Sequence, residues 1–102
     1  MVITDTTARL GYGRTRVTLE PQGEIDAGSV GELADMVREA LCAGAHELDV
    51  DLRGVSFMDT AALQVLEQAR EVLSASGGFL CLRNPTPPVR RLLDLTALGH
   101  GR

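Results

Sequence analysis

The segment from residue 46 to residue 52 restricts the fold more than any other, because its side chains alternate in character with a period of two. A β-strand places such side chains on opposite faces: Leu48, Val50 and Leu52 on one, and Glu47, Asp49 and Asp51 on the other. A parallel strand that is covered on both faces is apolar throughout. The acidic face of this strand is therefore expected to meet solvent, and the alternation predicts a sheet with helices on one face only.

The rest of the sequence supplies the other elements of a two-layer domain. Short alternating runs predict further strands, and apolar residues at helical spacing predict helices. The predicted order is β-β-α-β-α-β-α, an α/β fold with a four-stranded mixed sheet and helices packed on one face. The predicted strands lie at residues 8–12, 15–20, 46–52 and 79–82, and the predicted helices begin at Val30, at Thr60 and after a cap at Thr86.

Several helix ends are marked by residues that favour caps or stops. Ser29 and Glu32 have the spacing of a capping box, and Gly44 is a stop for the first helix. The second helix is expected to span residues 60–75, and the third to end at Gly99. The predicted inner stripe of the second helix consists of Ala62, Val65, Leu66, Ala69, Val72 and Leu73.

Length and charge define the class of protein. A chain of 102 residues with 44% apolar residues is long enough for one core, so a single domain is expected, with residues 1–7 and 99–102 flexible. The net charge of −4 disfavours nucleic acid as a partner. No apolar run approaches the roughly 20 residues that cross a bilayer, and no export signal begins the chain. A cytoplasmic protein without a membrane partner is the expectation.

Enzyme motifs are not found in the sequence. It contains neither a GxxxxGK[ST] phosphate loop nor an HExxH zinc motif. Cys42 and Cys81 match no metal or redox spacing, and their apolar neighbours predict small core residues. His46 begins a strand and His100 lies in the tail, so neither is placed as a catalytic base. The sequence therefore predicts a protein that is not an enzyme and has no cofactor or metal.

The residues just before the second helix raise the question whether Thr60 is a helix cap or a phosphorylation site. Asp59 and Thr60 are both residue types that cap helix N-termini, and a cap is one interpretation of the pair. A helix N-terminus also tolerates a phosphate, because its free N–H groups and dipole attract anions. A phosphorylated Thr60 would add roughly −1.5 to −2 charge beside Asp59. Local physics permits either a simple cap or a phosphorylation switch.

Three segments resemble one family, the anti-sigma factor antagonists with a STAS domain. VDLRGVSFMDTAALQVL, residues 50–66, resembles the central motif of that family, and GEID, residues 23–26, resembles its loop before the first helix. LRNPTPPVRRLLDLTAL, residues 82–98, is similar to the C-terminal strand and helix of actinobacterial members. The likeness covers residues from about 10 to 98.

The resemblance implies a binding switch. The unphosphorylated protein would bind an anti-sigma factor that is a serine/threonine kinase, and so release a sigma factor. Phosphorylation at Thr60 would end binding, and a phosphatase would restore it. The resemblance assigns Asp59 to the helix entry and Asp26 to the same surface. It also implies a docking face on the second helix that consists of Gln64, Glu67 and Gln68.

Two departures from the family pattern keep other functions open. Ala61 and Ala62 stand where the family commonly has Ser-Gly, and a methyl group at Ala62 would hinder close approach of a partner. A STAS subunit of a transporter or sensor complex, with Thr60 only as a cap, is one alternative. A small nucleotide-binding module is another. The chain also stops after the third helix, which leaves a sheet edge for a partner or a second copy, so that a homodimer is left open.

Overall fold

The computed structural model describes residues 1–96 and residue 98. The elements are, in chain order, β1 (Val2–Gly11), β2 (Arg14–Ile25), α1 (Val30–Cys42), β3 (Glu47–Asp51), β4 (Val55–Met58), α2 (Thr60–Ala75), β5 (Phe79–Arg83) and α3 (Pro87–Leu93). The sheet is mixed: β1 pairs with β2 antiparallel, whereas β3 and β4 each pair with β2 parallel and β5 pairs with β3 parallel. The main strand order is β1-β2-β3-β5, and β4 lies off this path.

The core lies between one face of this sheet and the helices. Leu48 and Val50 of β3 are fully buried, which confirms the inner face predicted from the alternation. Leu33 of α1 and Leu66 of α2 are buried equally completely, so both helices contribute to the same core. The predicted α/β class and two-layer architecture are therefore confirmed. No helix within residues 1–96 is long and apolar enough to cross a membrane.

One strand was missed by the sequence prediction, which placed residues 53–58 in a connector. Residues 55–58 form β4, because Val55 and Met58 pair with the C-terminal end of β2 and are buried. Four residues with two exposed side chains between two buried ones do not alternate, so no period-two signal marked them. The sheet therefore has five strands instead of four.

The first two strands are longer than predicted. β2 continues through Pro21, which was expected to end it, because the fixed φ of proline suits an extended chain and only one donor is lost. The extension gives the preceding residues a partner: Val2 pairs with Gln22 and Ile3 with Pro21. β1 consequently begins at Val2 and not at residue 8.

The sheet face opposite the helices is less exposed to solvent than the acidic pattern of β3 predicted, because Asp49 is only 4% exposed. Arg83 lies over it and donates from Nε to Asp49 Oδ2 at 3.0 Å, while Arg16 Nε lies 3.8 Å from the same oxygen. The hydrogen bond and the charge of Asp49 raise the pKa of Arg83 above its usual value. The strand face is therefore covered by the side chains of neighbouring strands.

Several local predictions were wrong. The capping box at α1 does not form, since Ser29 makes no side-chain cap bond and its hydroxyl donates to the Glu24 carbonyl instead. α3 ends at Leu93, well before Gly99, which with the tail 99–102 lies outside the described residues. Cys42 is exposed and Cys81 half-buried, so neither is a core residue.

Candidate functional site

Two neighbouring parallel strands end side by side at the candidate site. Ile25, the last residue of β2, pairs with Met58, the last residue of β4, and both side chains are buried. The Asp59 N–H extends this register by donating to the Ile25 carbonyl at 3.1 Å. Asp26 and Asp59 therefore follow the ends of two paired strands, and the sheet pairing brings together two acids that are far apart in sequence.

Asp59 caps α2. Its Oδ1 accepts the N–H of Ala61 at 2.9 Å, and its backbone carbonyl accepts the N–H groups of Ala62 and Leu63. Three of the first N–H groups of the helix are thus already satisfied by one residue. An anion at this helix terminus would find few free donors, which removes the local support for a nucleotide-binding site.

Thr60 is the first residue of α2, and its side chain is exposed. Among the described residues its hydroxyl has no hydrogen-bond partner, because Asp59 performs the capping. The sequence left open whether Asp59 or Thr60 caps the helix, and the structure shows that Asp59 is the cap.

Asp26 shapes the loop before α1. Its Oδ1 accepts the N–H groups of Gly28 at 3.0 Å and Ser29 at 3.1 Å, which closes a tight turn. Its own N–H donates to Ser29 Oγ at 3.0 Å, and that hydroxyl continues to the Glu24 carbonyl at 2.8 Å. The loop is fixed by these four bonds, so the half-buried Asp26 presents a rigid surface beside Asp59.

The exposed edge of α2 continues from Thr60 along the helix. Residues four apart lie on one face, and here they form an outer ridge that consists of Thr60, Gln64, Gln68 and Val72. Glu67 is half-buried beside it. The three docking residues predicted on α2 thus lie on or next to a continuous strip that begins at Thr60.

An apolar groove between α1 and α2 borders this ridge. It is lined by Val37 and Leu41 of α1 and by Val65 and Val72 of α2, with Arg38 and Gln68 at its rim. Val72 was predicted to be buried but is 53% exposed, while Leu63 is buried in the core. The helical pattern allowed either residue inside, and only the position of α1 decides which one is covered.

Phe57 is a second feature that sequence reasoning missed. It lies on β4 opposite Glu24, two residues before Asp59, and is 47% exposed. A large aromatic residue on a strand normally predicts burial, so no sequence signal marked it. Phe57 lies close to Asp26 and Asp59 and so adds apolar area to the candidate surface.

The substitution at Ala62 does not obstruct this surface. Its side chain is fully buried, so the methyl group packs into the core and not toward an approaching partner. Within residues 1–96 and residue 98, no group of three or more His, Cys, Asp or Glu side chains is placed to hold a metal ion.

Comparisons with known proteins agree with this architecture. A family model for the STAS domain matches residues 8–100. The anti-sigma F factor antagonist of Lysinibacillus sphaericus is 28% identical over 87 residues, which cover 84% of this chain and 74% of the relative.

Solved structures share the fold. The anti-sigma factor antagonist SpoIIAA in its unphosphorylated form gives a TM-score of 0.77 at 21% identity, over 95% of this chain and 84% of that one. The Bacillus SpoIIAA in its phosphorylated form gives 0.72 at 22% identity, over 95% and 86%. An anti-sigma factor antagonist from Mycobacterium paratuberculosis gives 0.72 at 27% identity, over 97% and 81%.

Proposed function

The chain belongs to the STAS domain family, and on that premise we propose that it is an anti-sigma factor antagonist controlled by phosphorylation of Thr60. In this role it catalyses no reaction. It binds an anti-sigma factor kinase in the cytoplasm, which releases a sigma factor, and a phosphatase reverses the modification. The names of its relatives support the antagonist role.

The observation that carries this proposal is the free Thr60 hydroxyl at the start of α2. Asp59 supplies the cap through its Oδ1, so the hydroxyl of Thr60 is not needed to hold the helix. An exposed hydroxyl without an internal partner can enter a kinase active site without local unfolding. Phosphorylation would therefore cost the fold little.

The electrostatics around Thr60 favour a phosphate that acts on a partner and not on the protein itself. A phosphoryl group brings roughly −1.5 to −2 charge next to the Asp59 carboxylate. The N–H groups of Ala61, Ala62 and Leu63 already donate to Asp59, so they cannot hold the phosphate. Repulsion from Asp59 then turns the phosphate toward solvent, where a docked partner would meet it. About 1.4 kcal/mol of repulsion weakens binding tenfold.

The proposed docking surface consists of the Asp26 loop, Asp59, Thr60 and the α2 residues Gln64, Glu67 and Gln68. Hydrogen bonds hold the Asp26 loop in place, and α2 is a regular helix from Thr60 to Ala75. Because the surface is preorganised, little conformational entropy is lost on binding. The exposed Phe57 at its border adds an apolar contact.

Phosphate transfer tests the proposal directly. Incubation with the cognate kinase and ATP should add one phosphate to the wild-type protein and none to Thr60→Ala. Ser74→Ala removes an exposed hydroxyl from the same helix and should be phosphorylated like wild type. Thr60→Ala should bind the kinase whether or not ATP is present, whereas Thr60→Glu should bind at least tenfold more weakly.

The opposite result would favour another STAS role. If Thr60→Ala still accepts phosphate, or if Thr60→Glu binds the kinase as well as wild type, Thr60 is not the switch. Co-purification with a transporter or sensor protein in place of a kinase would then support the interaction-subunit alternative.

A further inference from the structure

The outer edge of β1 forms a second surface, separate from the docking surface around Thr60. β1 runs for ten residues, and within residues 1–96 and residue 98 its only neighbour in the sheet is β2. Residues 4–9 are exposed, although residues on one face of a strand are normally covered by the core. An edge strand of this length presents unpaired backbone N–H and C=O groups, which can pair with another strand.

The helical layer ends before it reaches this strand. Asp5 and Thr7 lie on the same sheet face as their buried partners Leu19 and Val17. Instead of meeting a helix, they line an open groove whose opposite wall is α1, including Glu39. The inner face of β1 is therefore polar because nothing in the described chain covers it.

The charges on this face are arranged symmetrically about Thr7. Asp5 precedes it by two residues and Arg9 follows it by two, so both side chains point to the same side as Thr7. Among the described residues, neither Asp5 nor Arg9 forms an ion pair or a side-chain hydrogen bond. An antiparallel copy of the strand, centred on Thr7, would place Asp5 opposite Arg9 twice.

We propose that β1 pairs antiparallel with β1 of a second copy of this chain, with Thr7 opposite Thr7 on a twofold axis. Such a contact is isologous and closes at a dimer. It joins the two sheets edge to edge, with the helices of both copies on the same side. Regular pairing extends from Asp5 to Arg9, since the strand register shifts between Arg9 and Gly11.

Charge also favours this register over those with the twofold axis two residues away. A twofold axis at Asp5 would place two carboxylates opposite each other, and an axis at Arg9 would oppose two guanidinium groups, both of which destabilise a strand pair. With the axis at Thr7, each arriving arginine meets Asp5, and Glu39 lines the same groove as that carboxylate. Charges on an edge strand usually block pairing, but these two become partners.

Charge-reversal variants in sedimentation equilibrium test the contact. The wild-type protein should show a monomer–dimer equilibrium. Asp5→Arg and Arg9→Asp should each be mostly monomeric at the concentration where wild type is half dimeric. The dimer dissociation constant of each variant should be at least tenfold higher than that of wild type. An equimolar mixture of the two variants should associate again, because the arginine introduced in one chain then opposes the aspartate introduced in the other; the double variant should dimerise like wild type.

Control measurements separate this contact from changes in charge or folding. Arg91→Asp makes the same charge change on an exposed residue of α3 and should leave the equilibrium unchanged. Circular dichroism melting should show all variants folded. A wild type that stays monomeric at millimolar concentration overturns the proposal, as does a dimer that is insensitive to Arg9→Asp. Failure of the mixed variants to associate overturns it as well. The proposal is also overturned if the β1 edge binds the kinase instead of a second copy of the chain.

Discussion

Gly78, in the turn from α2 to β5, lies so close to the His46 carbonyl that a quantitative prediction follows. The Gly78 N–H donates to the Leu73 carbonyl at 2.7 Å, and the next residue, Phe79, donates to the His46 carbonyl at 3.1 Å. A Cβ atom at Gly78 would overlap the His46 carbonyl oxygen and lie 3.4 Å from Leu73 Cδ2. Alanine at this position therefore requires the backbone of β3 and β5 to separate.

The expected cost follows from these contacts. Overpacking of a fixed backbone costs about 1–3 kcal/mol. Loss of the hydrogen bond from Phe79 to His46 adds about 0.5–1.5 kcal/mol. Gly78→Ala should thus lower the free energy of unfolding by about 1.5–4.5 kcal/mol, out of the roughly 5–15 kcal/mol that a small domain has. For a chain of this size the Tm should fall by roughly 10–20 °C.

Urea unfolding monitored by circular dichroism measures this effect, with Gly31→Ala as the matched control. Gly31 lies inside α1, and a Cβ atom there would meet nothing within 4 Å. Because Gly31 is the second residue of the helix, alanine should leave stability unchanged or raise it by less than the roughly 1 kcal/mol that applies in a helix interior. If Gly78→Ala costs less than about 1 kcal/mol, or if both variants lose stability equally, the close contact at Gly78 does not set the cost.

Two further substitutions test the cap and the covered acid. Asp59→Ala should cost about 1 kcal/mol in urea unfolding, because the Ala61 N–H loses its acceptor, whereas Asp59→Asn keeps an acceptor and should stay close to wild type; equal losses would contradict the cap. Asp49→Val should leave stability unchanged or raise it, since the half-exposed Arg83 can return to solvent and Arg16 keeps Glu47 as a partner; a large loss would show that the ion pairs stabilise the sheet.

The second helix is an element whose bounds could be predicted from the local sequence. Its predicted span, residues 60–75, is the span observed, because Asp59 marks the start and a glycine pair follows the end. The inner face of β3 was equally predictable from the alternation of Leu48 and Val50. In both cases the structure follows from a periodic apolar pattern and from residues that start or end an element nearby in sequence, so no distant contact is needed to decide it.

The candidate site could be predicted only in part. Asp59 and Thr60 were noticed because they begin a helix, and their roles in the candidate site came from the family resemblance. That Asp26 lies beside them depends on the pairing of β2 with β4, and β4 was not predicted. The groove between α1 and α2 and the exposure of Val72 and Phe57 depend on where the helices cross the sheet.

The sequence by itself thus determined the order of the main elements, the inner face of the central strand and the start of the second helix at Asp59 and Thr60, because these follow from periodicity and capping over a few residues. The role of Thr60 as a candidate phosphorylation site came from the family resemblance. Tertiary structure alone decided the fifth strand, the burial of Asp49 under two arginines and the bare edge of β1. Each of these depends on which distant backbone lies alongside, and side-chain burial is fixed by such neighbours and not by residue type.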